Sequence, residues 1–200
     1  MKTKIMSLSL ATAIIVSLLF GAVTAQSQQN ISDKVVRLHV VANSDSDEDQ
    51  ALKLKVRDAV IENLDLLLDG AESRETAKMI IEENLDDIAE AAGEEIEANG
   101  ETYPVKAALV KEEFPTRNYD TFSLPAGVYT SLKVSIGQAK GKNWWCVVFP
   151  PLCKAAALED ISEEAGLSKG EVYLISGEKD SIEIRFKVLE FFKTIRSRMK

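Results

Sequence analysis

The feature that most constrains this chain is a change of hydrophobic period near residue 100. Before it, apolar residues recur at steps of three and four. Leu52, Val56, Ala59, Val60, Leu64 and Leu67 form one such stripe, and Ala77, Ile80, Ile81, Leu85, Ile88, Ala92 and Ile96 form another. Such stripes predict two amphipathic helices, Asp47–Leu68 and Ser73–Ala98. Asp69-Gly70 and Asn99-Gly100 supply the stops, since glycine suits the left-handed residue after a helix. The short turn between them suggests an antiparallel pair. Past residue 100 the period becomes two. Val105, Ala107 and Leu109 alternate with Lys106 and Ala108, and Val128, Thr130, Leu132, Val134 and Ile136 alternate with Tyr129, Ser131, Lys133 and Ser135.

Other segments complete the order. Val35–Ala42 reads as a strand, with Val36, Leu38 and Val40 on one side and Arg37 and His39 on the other. Ser46, followed three residues later by Asp49, has the spacing of a helix capping box. Glu113 to Tyr119 is irregular because Pro115 cannot donate to a central ladder. Pro125-Ala126-Gly127 makes a turn, and Gly137 to Gly141 makes a tight connection. Trp144 to Phe149, apolar throughout, reads as a more central strand stopped by Pro150-Pro151. Leu158–Gly166 is expected to be a short helix, Ile182–Val188 a strand, and Leu189–Met199 an amphipathic helix with a basic end. Strands segregated from a helix pair imply an α+β fold, a mainly antiparallel sheet with the pair packed on one face.

The N-terminus reads separately. Met1-Lys2-Thr3-Lys4 is a short basic start, Ile5 to Val23 carries no charge, and Val23-Thr24-Ala25 suits cleavage before Gln26. Residues 1–25 therefore read as a secretory signal peptide, leaving residues 26–200 as a single domain. An uncleaved anchor is the other reading, because the apolar stretch nearly matches a bilayer span. Both place the domain outside the cytoplasm.

The chain offers little to a catalyst. Its net charge of −8 disfavours nucleic acid as a partner. His39 is the one histidine and would have to be the base of any Ser-His or Cys-His device. The run Asp45-Ser46-Asp47-Glu48-Asp49 resembles the start of a calcium loop. Gln50 stands where that loop needs Gly, and Val56 where it needs a bidentate Glu. Acids at a helix N-terminus are accounted for by the helix dipole. Two cysteines and one histidine are too few for a zinc site without carboxylates. Gly137 to Lys142 lacks phosphate-loop spacing and precedes a strand. We therefore expect no catalytic set, no metal and no cofactor, and a protein that is not an enzyme. An exported hydrolase using Cys146 or His39 is the alternative. Export permits Cys146 and Cys153 to pair as a disulfide, and two small buried thiols are the other reading.

The strand alternation places Arg37, His39, Lys106, Lys133, Arg185 and Lys187 outward, with Glu183 the one acid among them. An acidic protein would then carry a basic, open sheet face that fits an acidic protein surface; the other reading is ordinary solvated strand residues, which the strand order could scatter. Trp144 and Trp145 must face opposite sides, so one is core and the other is available to a partner. Arg37, His39, Lys133, Trp144, Trp145 and Arg185 are the candidate partner-binding residues.

Three stretches resemble one family. They are Val36-Arg37-Leu38-His39-Val40-Val41-Ala42-Asn43-Ser44-Asp45-Ser46 continuing through Asp49 to Asp58, then Phe114-Pro115-Thr116 with Pro125-Ala126-Gly127-Val128-Tyr129, and last Gly141-Lys142-Asn143-Trp144-Trp145-Cys146-Val147-Val148-Phe149-Pro150-Pro151-Leu152-Cys153. Together they are similar to the stage II sporulation protein R family of endospore-forming bacteria. The tryptophan-cysteine stretch is the most specific. The resemblance implies a protein made in the forespore and secreted into the space between forespore and mother cell. There it would activate a membrane-embedded aspartic protease that processes a mother-cell sigma factor precursor. The resemblance carries over no catalytic residue.

Overall fold

A computed structural model describes residues 28–119 and 122–153, together with Thr12, Ile14, Ile15, Ser17 and Leu18. The expected signal peptide, helix 158–166, strand 182–188, C-terminal helix, Arg185 and Lys187 lie wholly or largely outside the described residues. No described helix is long and apolar enough to cross a membrane.

The elements run β1 (Val36–Val41), α1 (Asp47–Leu67), α2 (Arg74–Glu83), α3 (Leu85–Ala98), β2 (Val105–Phe114), β3 (Arg117–Asn118), β4 (Ser123–Leu124), β5 (Gly127–Ile136) and β6 (Asn143–Phe149). The four long strands form one sheet in the order β2-β5-β1-β6. β2 and β6 pair antiparallel with β5 and β1, and the central pair β1–β5 is parallel. The fold is α+β with a mostly antiparallel sheet, as the period change implies. The parallel pair follows from connectivity, because the helices and β2 intervene between β1 and β5.

The helices lie on one face. Val36, Leu38 and Val40 of β1 meet Leu132, Val134 and Ile136 of β5 there. Val56, Val60 and Leu64 of α1 and Ile81, Ile88, Ala92 and Ile96 of α2 and α3 complete that core. The Ser46 cap read from the sequence is made, and Ser73, expected as the first residue of a helix, is a second cap. Ser46 accepts from the Asp49 amide, and Ser73 accepts from the Thr76 amide, satisfying donors that a first helical turn leaves free.

The expected helix 73–98 is broken. Asn84 leaves helical geometry between α2 and α3, and its side-chain amide donates to the Ile80 carbonyl (2.7 Å). A short polar side chain that bonds the preceding turn competes with the helix ladder. β2 also runs further than its alternation suggested. It extends to Phe114 and stops at Pro115, which the chain tolerates because β2 is an edge strand.

The acidic stretch before α1 has a structural task. The Asp49 carboxylate accepts from Asn43 Nδ2 and Ser44 Oγ. Asn43 Oδ1 accepts the Gln138 amide (2.9 Å), and Asp45 Oδ1 accepts the Lys142 amide (2.7 Å). The β1–α1 loop thus holds the β5–β6 turn. Gly141 approaches that loop so closely that a Cβ would run into the Ser44 carbonyl.

Candidate functional site

The second face of the sheet is where the candidate residues converge. The registers Arg37↔Ser131, His39↔Lys133 and His39↔Trp145 place Arg37, His39, Lys133 and Trp145 on the face away from the helices. Trp144 points the other way, against the helix-side core, with the Arg57 guanidinium 4.8 Å from its ring centroid. The alternation thus separates the two tryptophans as expected, although both are half-buried.

The expectation of an open basic face fails at its Arg37 end. A second, smaller core covers that half: Ile31, Val35, Phe114, Phe122, Leu124, Tyr129, Val147 and Leu152. Residues 28–35 and the β3–β4 ribbon supply the cover, so all six residues of β1 are buried. Arg37 is 0% exposed and His39 is 7% exposed. Period-two alternation finds the face a residue points to. It carries no information about a loop folding back over that face. The other half stays open, with Lys106 exposed and Lys133, Ser135 and Trp145 half-buried.

Arg37 sits in an aromatic box. Its guanidinium carbon is 3.9 Å from the Phe114 ring centroid and 5.1 Å from that of Tyr129. Its Nη2 donates to the Tyr119 hydroxyl at 2.7 Å, and the Tyr119 hydroxyl lies 3.5 Å from the Trp145 carbonyl. Nε and Nη1 are buried without a partner. Burial pushes the Arg37 guanidinium below its ordinary value, and neighbouring Arg117 acts in the same direction against Tyr119 and Tyr129. Burial also pushes the Tyr119 and Tyr129 phenols up, so both stay protonated. The Tyr129 hydroxyl donates to the Pro125 carbonyl (2.7 Å) and pins the turn into β5.

His39 is held at both ring nitrogens. Nδ1 donates to Glu112 Oε1 at 2.8 Å, since a carboxylate can only accept, and Nε2 lies 2.9 Å from Asn143 Oδ1. The ring stacks on Trp145, with centroids 5.6 Å apart. Lys133 Nζ reaches the other Glu112 oxygen at 3.4 Å. Burial pushes the Glu112 carboxyl up, but the hydrogen bond and charge of His39, with the charge of Lys133, together bring it below its ordinary value. Next to this trio, the Arg117 guanidinium carbon sits over Trp145, 3.8 Å from the ring centroid.

The contacts of this arrangement hold its side chains in fixed orientations. His39 faces a carboxylate and an amide, which gives it no nucleophile to activate among the described residues. Cys146 and Cys153 form a disulfide with their Cα atoms 5.6 Å apart, so the Cys146 thiolate that a hydrolase would need is not available. The pairing pins the turn after Phe149 to β6 and helps seat Leu152 in the smaller core. Among the described residues no group of acids, histidines and cysteines is placed to hold a metal ion.

Sequence reasoning missed Glu112, Arg117, Tyr119 and Asn143. Glu112 fell beyond the expected end of β2. Arg117 and Tyr119 fell in the stretch that Pro115 marks as irregular. Two aromatic residues and a cation within Phe114-Pro115-Thr116-Arg117-Asn118-Tyr119 were the available signal that this loop folds back onto something.

Comparison with known proteins agrees with the resemblance. No solved structure matches the chain significantly. Stage II sporulation protein R of Bacillus subtilis (strain 168) is 33% identical to it, over 87% of this chain and 88% of the relative. The family model described as "Stage II sporulation protein R" matches residues 32–159, a span that holds the helix-side core, all of the smaller core but Ile31, and the residues of the site described above. With most of its length inside that match, the chain belongs to the stage II sporulation protein R family.

Proposed function

We propose that this protein is an exported sporulation signal that acts by binding. It leaves the forespore for the space between forespore and mother cell. There it activates a membrane-embedded aspartic protease, which then processes a sigma factor precursor in the mother cell. Family membership supports a role in sporulation. The basic start and uncharged stretch of residues 1–25 support export.

The observation that carries the binding role is the half-open second face of the sheet. Half-buried Lys133 and Trp145 share this face with Lys106, which is exposed on the opposite edge strand from Trp145, and Glu112 and His39 hold Lys133 and Trp145 in place. An aromatic side chain with Arg117 over its ring, on a sheet face that also carries Lys133 and Lys106, is suited to bind an acidic protein surface, with charge speeding encounter and the ring supplying contact area.

The test is reconstitution of the full chain with the protease and its substrate in a non-sporulating host, reading substrate cleavage. The intact protein should trigger cleavage. Lys133→Glu and Trp145→Ala should each reduce it about tenfold or more when cleavage is compared at equal amounts of secreted, folded protein, since both side chains also pack within the site. Full cleavage with both variants would remove this face as the docking surface. No cleavage with the intact protein would remove protease activation altogether.

A further inference from the structure

Arg37 and Arg117 are two neighbouring cations with no anion. Among the described residues neither makes an ion pair, although the chain is acidic as a whole. Three of their nitrogens, Arg37 Nε, Arg37 Nη1 and Arg117 Nε, are buried without a hydrogen-bond partner. The carboxylate of the site, Glu112, is taken by His39 and Lys133. Arg37 receives one neutral acceptor, the Tyr119 hydroxyl. Aromatic faces stabilise a guanidinium but do not replace the acceptors its N–H groups need. Orphaned donors are rare inside proteins, and three within one small cluster require a reason.

The arrangement also has direction. Arg117 is the half-buried member, its guanidinium carbon 3.8 Å from the Trp145 ring centroid, and it is the nearer of the two to solvent. Arg37 lies deeper, beyond Tyr119, whose hydroxyl links it to the Trp145 backbone. Planar guanidinium forks match carboxylates, taking both oxygens at once. We propose that Arg37 and Arg117 form a receptor for a carboxylate supplied by a partner protein. Arg117 takes the anion at the rim. Tyr119 yields its hydroxyl contact, and the Arg37 fork supplies the second set of donors. This deepens the proposed binding role by assigning the chemical group recognised. It does not depend on the partner being a protease.

The test uses the full chain carrying Trp144→Phe, so that Trp145 alone reports. It is titrated with acetate at constant ionic strength and read by fluorescence, with inorganic phosphate as a parallel probe. Acetate should give a saturable change, and Arg117→Gln and Arg37→Met should each weaken it by about tenfold or more. Arg37→Met has a second signature. Replacing a buried, unpaired cation with an apolar side chain of similar length should leave the melting temperature unchanged or raise it by about 4 °C. A purely structural cation predicts the opposite pair of results, a lowered melting temperature with acetate binding intact, and that pair would overturn the proposal. So would the absence of a saturable acetate response, or phosphate binding as tightly as acetate. Asp120→Asn distinguishes the source of the carboxylate. It should leave acetate affinity unchanged, and a marked gain would mean that the chain's own carboxylate is the natural occupant. Because acetate binding is read without any protease, failure of the signalling reading would leave this result standing.

Discussion

β1 faces two different interiors. Toward the helices, Val36, Leu38 and Val40 enter a core built mainly of aliphatic side chains, with the buried Cys146 of the disulfide beside them. On the other side, Arg37 and His39 enter a small aromatic core that buries a cation, a histidine and several orphaned donors. One strand therefore carries both a region built for stability and a region whose polar groups oppose it. Burying charge without a counter-ion costs stability, so the second core is explained by what it holds ready rather than by how much it stabilises.

The sharpest way to break this contrast is to cut into each side. Ile88→Ala on the helix side removes a fully buried branched side chain and should cost about 2–5 kcal/mol in denaturant unfolding. If the loss were under about 1 kcal/mol, the helix-side core would not be the stabilising one. Replacing both cysteines, Cys146→Ser with Cys153→Ser, releases the turn that seats Leu152 beneath the smaller core. It should cost about 2 kcal/mol, and a purified chain titrated with a thiol reductant should show the same loss. Tyr119→Phe removes the one acceptor that Arg37 has. It should cost about 1–2 kcal/mol, and a neutral result would show that water already serves Arg37.

The smallest effect is a pH dependence. The Glu112 carboxyl ionises more readily folded than unfolded. Its contribution is therefore fully present above its ordinary value of 4.5 and is lost as pH falls through the lower, folded value. Because Glu112 is partly solvated, the amount should be under about 1 kcal/mol. Comparing parent and Glu112→Gln melting between neutral pH and pH 3 reads it. The two curves should converge at low pH, and parallel curves would show that His39 and Lys133 do not draw on the ionised form.

Much of this was legible in the residues. Helical and strand periods found the helix pair, the sheet and the face on which Arg37, His39, Lys133 and Trp145 meet. Side-chain direction follows directly from a period of two. Ser46 with Asp49 marked the start of α1 because capping is a local interaction. The interruption at Asn84 was not legible, because Ile81, Leu85 and Ile88 keep helical spacing across it. The burial of Arg37 was not legible either, since its cover comes from residues 28–35, 117–119 and 122–124, which no local pattern ties to β1. Glu112 joins His39 from 73 positions away, a pairing that only the β2-β5-β1 order brings about.

The sequence by itself determined the α+β class, the strand faces, the caps and the family, because each depends on local periodicity or on residues read in order. The tertiary structure decided which half of the second face stays open, that Cys146 meets Cys153, and that Arg37 and Arg117 make no ion pair among the described residues. Those outcomes depend on how distant segments fold over one sheet. Burial and charge compensation are properties of that packing, and no window of the chain contains them.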